Sequence, residues 1–166
     1  MPLTFHIGPQ EGECYGMVDE KGLPRLEKSL QAFPDLVFLA HSQPFWSHIS
    51  GDVTEENWGG YPEGPVTEGG RIPELLRSCP NLHGDLSAGS GYNAVSRDPE
   101  FGYAFLTEFE DQLLFGTDCY RTTQIDGLAV QMKHFLEDGL AAGKISQSTF
   151  DKITHQNAIR VLGLDE

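Results

Sequence analysis

Four short apolar runs punctuate the chain: "LTFHI" at 3–7, "LVFLAH" at 36–41, "LHGDLS" at 82–87 and "LLFGTD" at 113–118. Most are continuously apolar rather than alternating, the pattern of strands covered on both faces of a parallel sheet. Between them the period becomes that of a helix. "GLPRLEKSLQAFP" places Leu23, Leu26, Leu30 and Phe33 on one face with charges opposite, and Pro34 ends it. "RIPELLRSCP" at 71–80 has the same character and the same proline stop. "DPEFGYAFLTEFE" opens on an Asp-Pro pair suited to starting a helix and carries Phe101, Phe105 and Phe109 at helical spacing. After the fourth run come "GLAVQMKHFLEDGLAAG" and "SQSTFDKITHQNAIRVLGLDE", two helical stretches divided at Gly143. Strand and helix thus alternate four times. The alternation predicts an α/β fold of four parallel βα units with right-handed crossovers, in a single domain over 1–166.

One connection breaks this rhythm. Residues 42–70, "SQPFWSHISGDVTEENWGGYPEGPVTEGG", are too long and too rich in Gly, Pro and aromatics for a simple turn. Loops of this length are usually functional lids or disordered segments. Trp46, Trp58 and Tyr61 favour a lid-like loop or an interface, placed over the rim where the second strand ends.

Composition narrows the partners. With 25 acidic against 11 basic residues the formal charge is -14, which repels nucleic acid and anionic membranes. No apolar run approaches the roughly 20 residues of a membrane span, and "MPLTFHIGPQ" lacks the basic start and apolar core of a signal peptide. The expectation is a cytoplasmic protein acting on a small molecule. Cys14, Cys79 and Cys119 are odd in number and show no CxxC pairing, so they are read as idle thiols.

Three of the four runs end on metal-ligand residue types: His6 in "FHIG", His41 in "LAHSQ" and Asp118 in "GTDCY". In a parallel sheet the C-terminal strand ends share one rim, so these residues converge there. Two imidazoles and a carboxylate are a set that a catalytic divalent ion takes while keeping a position for water. Singly each has a plainer reading, a structural histidine or a helix cap. Together they give the metal reading equal standing. His134 and His155 lie in or near helices, where packing or solvent is the default; His83 precedes its strand end, and His48 sits in the long loop within possible reach of the rim. "DLSAGSGYN" at 85–93 reads either as a tight turn or as a loop whose N–H groups cradle an anion.

"FPDLVFLAH", "NLHGDLSAGSG", "LLFGTD" and "NAIRVLGL", in this order and spacing, resemble the C-terminal half of the amidohydrolase-2 family of metal-dependent hydrolases and decarboxylases with a TIM-barrel fold. The resemblance implies the second half of such a barrel. It implies that His6 is a metal ligand on the fifth barrel strand, that Asp118 is a ligand or proton-handling carboxylate on the eighth, and that His41 is the sixth-strand histidine that binds metal or activates water. The implied cofactor is a divalent ion, zinc first. The first-strand His-x-His pair of the family is absent from this chain. A barrel takes about 250 residues, so the missing half is expected from a second copy, with residues 113–118 of one chain pairing with 3–7 of the other, or from a separate N-terminal chain.

Two functions follow from different classes. One is a hydrolase or decarboxylase of a small carboxylated or cyclic substrate, with His41 and Asp118 catalytic and His6, His41 and Asp118 at the metal. The other is a catalytically silent fragment or assembly subunit that has lost the first-strand ligands. A flavodoxin-like phosphate binder would need a phosphate loop after the first strand, and "GPQEGECYG" is a poor one.

Overall fold

The computed structural model describes residues 1–9, 16–124 and 127–164. Its centre is a sheet of five parallel strands in the order β2-β1-β3-β4-β5. The strands are β1 (Leu3–Gly8), β2 (Met17–Val18), β3 (Phe38–His41), β4 (Leu82–Asp85) and β5 (Leu113–Leu114). The expected four strands are all present, and β2 is an addition: two exposed residues that pair with Ile7 and Gly8 at the outer end of β1. Met17 and Val18 carry no apolar run that would have marked them.

Helix α1 (Pro24–Ala32) follows the expected stretch, with Leu26 and Leu30 buried. Phe33 departs from the expected apolar face. It is the C-cap residue, and 58% of it is exposed, because the helix has ended one residue earlier. Helix α3 (Arg71–Ser78) buries Ile72, Leu75 and Leu76. Helix α5 (Pro99–Glu108) starts where Asp98 accepts a hydrogen bond from the Phe101 N–H. The C-terminal layer is α6 (Leu128–Ala141), α7 (Gln147–Asp151), a π-helical turn at Lys152–Gln156 and α8 (Asn157–Leu162). Two further helices, α2 (Gln43–Ser47) and α4 (Ala88–Ser96), stand where the sequence suggested loops. The long segment 42–70 therefore begins as a helix. Its Trp46 and Trp58 are buried, and the Gly51 N–H to Thr67 carbonyl bond ties its later part together.

One polar device recurs at the base of the sheet. Asn81, just before β4, donates to the carbonyls of Leu30, Phe33 and Leu36, and Gln112, just before β5, donates to those of Leu76, Cys79 and Leu82. Each amide satisfies carbonyls left over at the end of the preceding helix and strand connection. Asn157 does the same for Glu110 and Leu113, at 2.6 and 2.8 Å.

That last contact bears on assembly. The residues of β5 and its immediate continuation that face away from β4 are 113 and 115. The Leu113 carbonyl accepts from Asn157, and the Phe115 N–H donates to the Ile153 carbonyl. The expected pairing of 113–118 with 3–7 of a second copy meets groups that the chain's own C-terminal helices already hold.

Period-2 alternation divides the sheet into two faces. Phe5, Ile7, Phe38, Ala40, Leu82 and Leu113 belong to the helix-covered core. The register His6↔His41, Leu39↔His83 and Asp85↔Leu114 puts the polar residues of the strands on the opposite face.

Candidate active site

At the C-terminal rim of that second face the register sets His6 directly beside His41, with ring centroids 4.8 Å apart. Across from them on β4 stands Asp85, which the sequence analysis passed over. Its Oδ2 is 3.2 Å from His41 Nδ1. Ser87 completes the group: its hydroxyl donates to Asp85 Oδ2 at 2.9 Å and lies 3.1 Å from His41 Nδ1, while its N–H donates to Asp85 Oδ1 at 2.9 Å. With the serine proton committed to the carboxylate, the serine oxygen is an acceptor, and His41 carries its proton on Nδ1. This explains why Ser87, the N-cap residue of α4, makes no side-chain cap bond: its hydroxyl is used at the rim.

The two imidazoles are driven apart electrostatically. The hydrogen bond to Asp85 raises the pKa of His41, burial opposes it, and the Asp85 and Asp118 charges add to the rise. Burial lowers the pKa of His6 and the neighbouring His41 lowers it further, against the pull of Asp118 and Asp85. His41 is thereby the stronger base of the pair. Divergent neighbours of this kind are the usual sign of divided acid and base roles.

Asp118 lies in the exposed irregular segment beyond β5, with φ +54, and its charge reaches both rings. Backbone strain gathers around the site. Four described residues other than glycine have positive φ, and Ser42, Ala88 and Asp118 each lie close in sequence to a rim group. Ser42, immediately after His41, has φ +147 and ψ 163, a region other residues leave to glycine at a cost of roughly 1–3 kcal/mol. Its hydroxyl donates to the Ile7 carbonyl and accepts from the Phe45 N–H, fixing the turn that leaves His41 at the rim. Gly16 (φ +112) crosses so close to His6 that a Cβ there would lie 2.5 Å from His6 Cβ.

The other residues singled out from the sequence lie elsewhere. His48 is buried at the end of α2, bonded to the Pro44 carbonyl and the Gly22 N–H, and does not join the imidazole pair. His83 is buried on β4, below Asp85 on the same face. His134 and His155 are exposed. The stretch 85–93 is not an anion loop, because from Ala88 onward it is helix α4. Cys79 is buried, Cys119 is exposed, and Cys14 lies outside the described residues, as do residues 10–15 of the phosphate-loop alternative. A surface cleft of about 720 Å³ along α5, lined by Pro99, Tyr103, Ala104 and Lys144, touches none of the rim residues.

A divalent ion is the usual cofactor of proteins with this sequence pattern, and the donor types at the rim suit one. Among the described residues, however, no three His, Cys, Asp or Glu side chains stand close enough to hold an ion between them. His6 stands beside His41 at the rim, and a complete ligand set there needs further donors brought to it.

A parallel sheet flanked by helices, with an imidazole–carboxylate pair at the C-terminal rim of its strands, defines an α/β protein whose architecture is that of part of a TIM barrel. A family model described as Amidohydrolase matches residues 5–164, and the chain belongs to that family. No curated protein and no solved structure matches it. The match does not distinguish one half of a barrel from the other.

Proposed function

We propose that this chain is a metal-dependent hydrolase, or a related decarboxylase, acting on a small carboxylated or cyclic substrate. The observation that carries the reading is the contact of His41 Nδ1 with Asp85 at 3.2 Å on the rim of a family-matched sheet. With Nδ1–H held by Asp85 and Ser87, Nε2 of His41 is the basic nitrogen. It takes a proton from water as the water attacks the substrate carbonyl and returns it to the leaving group. Asp85 fixes the tautomer and stabilises the imidazolium formed in between. His6 and Asp118 are the proposed metal ligands, and His41, expected from the sequence as ligand or base, is assigned to the proton. A divalent ion, zinc first, would supply a lowered pKa for water. The cytoplasm, which keeps thiols such as Cys79 and Cys119 reduced, is the proposed location. Among the described residues no helix is long and apolar enough to cross a membrane.

The second reading, a silent subunit, draws on the unclosed donor set. It goes with an assembly partner, either a second copy or a separate N-terminal half-barrel chain, joined on the β1 side because the outward groups of β5 are held. One experiment separates the readings. Purified protein is assayed for molar mass and metal content, then for hydrolysis or CO₂ release from a panel of small lactones, cyclic amides and aromatic carboxylates, with and without added zinc. The enzyme reading expects zinc-dependent turnover that His41→Gln lowers about 10²-fold or more. Turnover absent across the panel, without stoichiometric metal, leaves the silent subunit.

A further inference from the structure

We infer that Trp46 is a positioning residue for the rim, the strut that aims the Asp85 carboxylate at His41. The inference rests on the assignment of His41 and Asp85 as a functional pair. It begins from a break in the sheet. The β3–β4 ladder ends at Ala40↔Gly84, and its continuation would bring the Ser42 N–H to the Asp85 carbonyl. The chain turns away at Ser42 instead, into α2, which leaves the carbonyl of the last residue of β4 without a ladder donor on that side. The indole of Trp46 takes the empty place: its Nε1–H donates to the Asp85 carbonyl at 2.9 Å.

The strut is rigid at both ends. Trp46 is only 2% exposed and is wedged edge-on against Phe45 and Phe105, at centroid distances of 5.1 and 6.4 Å. Its backbone N–H donates to the Ser42 carbonyl, which couples it to the turn next to His41. At the other end the ring lies against Gly84. A Cβ there would stand 2.8 Å from the indole Cη2, so glycine is what lets the ring reach the strand backbone. The helix that leaves the first member of the pair thus returns to fix the second. The Asp85 side chain then has one orientation, with Oδ1 on the Ser87 N–H and Oδ2 toward His41.

The test removes the donor and keeps the ring. The full chain is made with Trp46 replaced by 3-benzothienylalanine, which puts sulfur in place of the indole N–H, and in parallel as Trp46→Phe, Asp85→Asn and Gly84→Ala. The readout is the downfield imidazole N–H proton resonance of His41 in ¹⁵N-histidine-labelled protein, with the thermal midpoint as a fold check. The expected result is loss or an upfield shift of that resonance in the benzothienyl protein, with the fold retained, and its loss in Asp85→Asn. An unchanged His41 resonance in the benzothienyl protein, with loss in Asp85→Asn, overturns the role of Trp46 and leaves the pair standing. An unchanged resonance in Asp85→Asn overturns the pair itself, and the strut with it.

Discussion

Among the residues that tie segment 42–70 to the rest of the domain, His48 is the titratable one. Its Nδ1–H donates to the Pro44 carbonyl at 2.6 Å, its Nε2 accepts from the Gly22 N–H at 3.0 Å, and its ring meets Trp58 edge-on at 5.1 Å. Both ring nitrogens are matched only while the ring is neutral, and protonation would turn Nε2 from acceptor to donor against a donor. Burial accordingly lowers the pKa of His48 below 6.5, outweighing the Pro44 carbonyl and the Asp19 and Glu55 charges that favour the cation. The direction of the stability effect follows. The unfolded chain takes up this proton near pH 6.5 and the folded chain only at lower pH, so stability is fully present above about 6.5. It is lost as pH falls from there toward the native value, by up to about 1.4 kcal/mol per pH unit. Urea titrations at a series of pH values should show a shallower acid-side loss for His48→Gln than for the native protein. Parallel slopes would show that this imidazole is not the latch.

At the level of elements, the outer side of β5 is the flank of the sheet that the chain's own C-terminal helices close, and Asn157 covers part of it. That side chain is 2% exposed and serves two backbone carbonyls, Glu110 and Leu113. Asn157→Ala leaves one buried and one part-buried acceptor without this donor, so a loss of roughly 1–3 kcal/mol is expected from denaturant unfolding. A loss under about 1 kcal/mol would mean that water or a neighbour replaces the amide. Asn157 opens the "NAIRVLGL" motif that helped to reveal the family, yet nothing in the string tells that it caps a strand. Elsewhere the sequence was legible where one force dominated. The apolar runs became β1, β3, β4 and β5, and the positions of His6 and His41 at one rim were legible because a polar residue ending such a run stands out. Helix α4 escaped because Ala88, Gly89, Ser90 and Gly91 are a poor or neutral helix start; the close approach of Gly91 to the Leu86 carbonyl shows that packing decides it. Asp85 escaped because it was absorbed into the strand 82–87. The period-2 pair His83 and Asp85 on an otherwise apolar strand was the available signal, as both side chains had to share one face.

For the molecule as a whole, charge works against compactness. A formal charge of -14 on 166 residues is self-repulsive, and the ion pairs available to offset it draw on 11 basic residues. Screening should therefore stabilise the fold: the thermal midpoint is expected to rise between about 0.01 and 0.5 M sodium chloride, as the Debye length falls from about 30 Å to a few ångströms. A falling midpoint would mean that attractive pairs such as Lys152 with Glu110 and Asp111 outweigh the repulsion. The sealed flank of β5 has a consequence of its own for how copies of this chain can meet. A parallel sheet is polar across its width, and stacking the last strand of one copy onto the first strand of the next is a head-to-tail contact that repeats without end, the route to fibres. By occupying the Leu113 carbonyl and the Phe115 N–H with its own Asn157 and Ile153, the chain blocks the tail of that contact and so disfavours head-to-tail growth of sheet upon sheet.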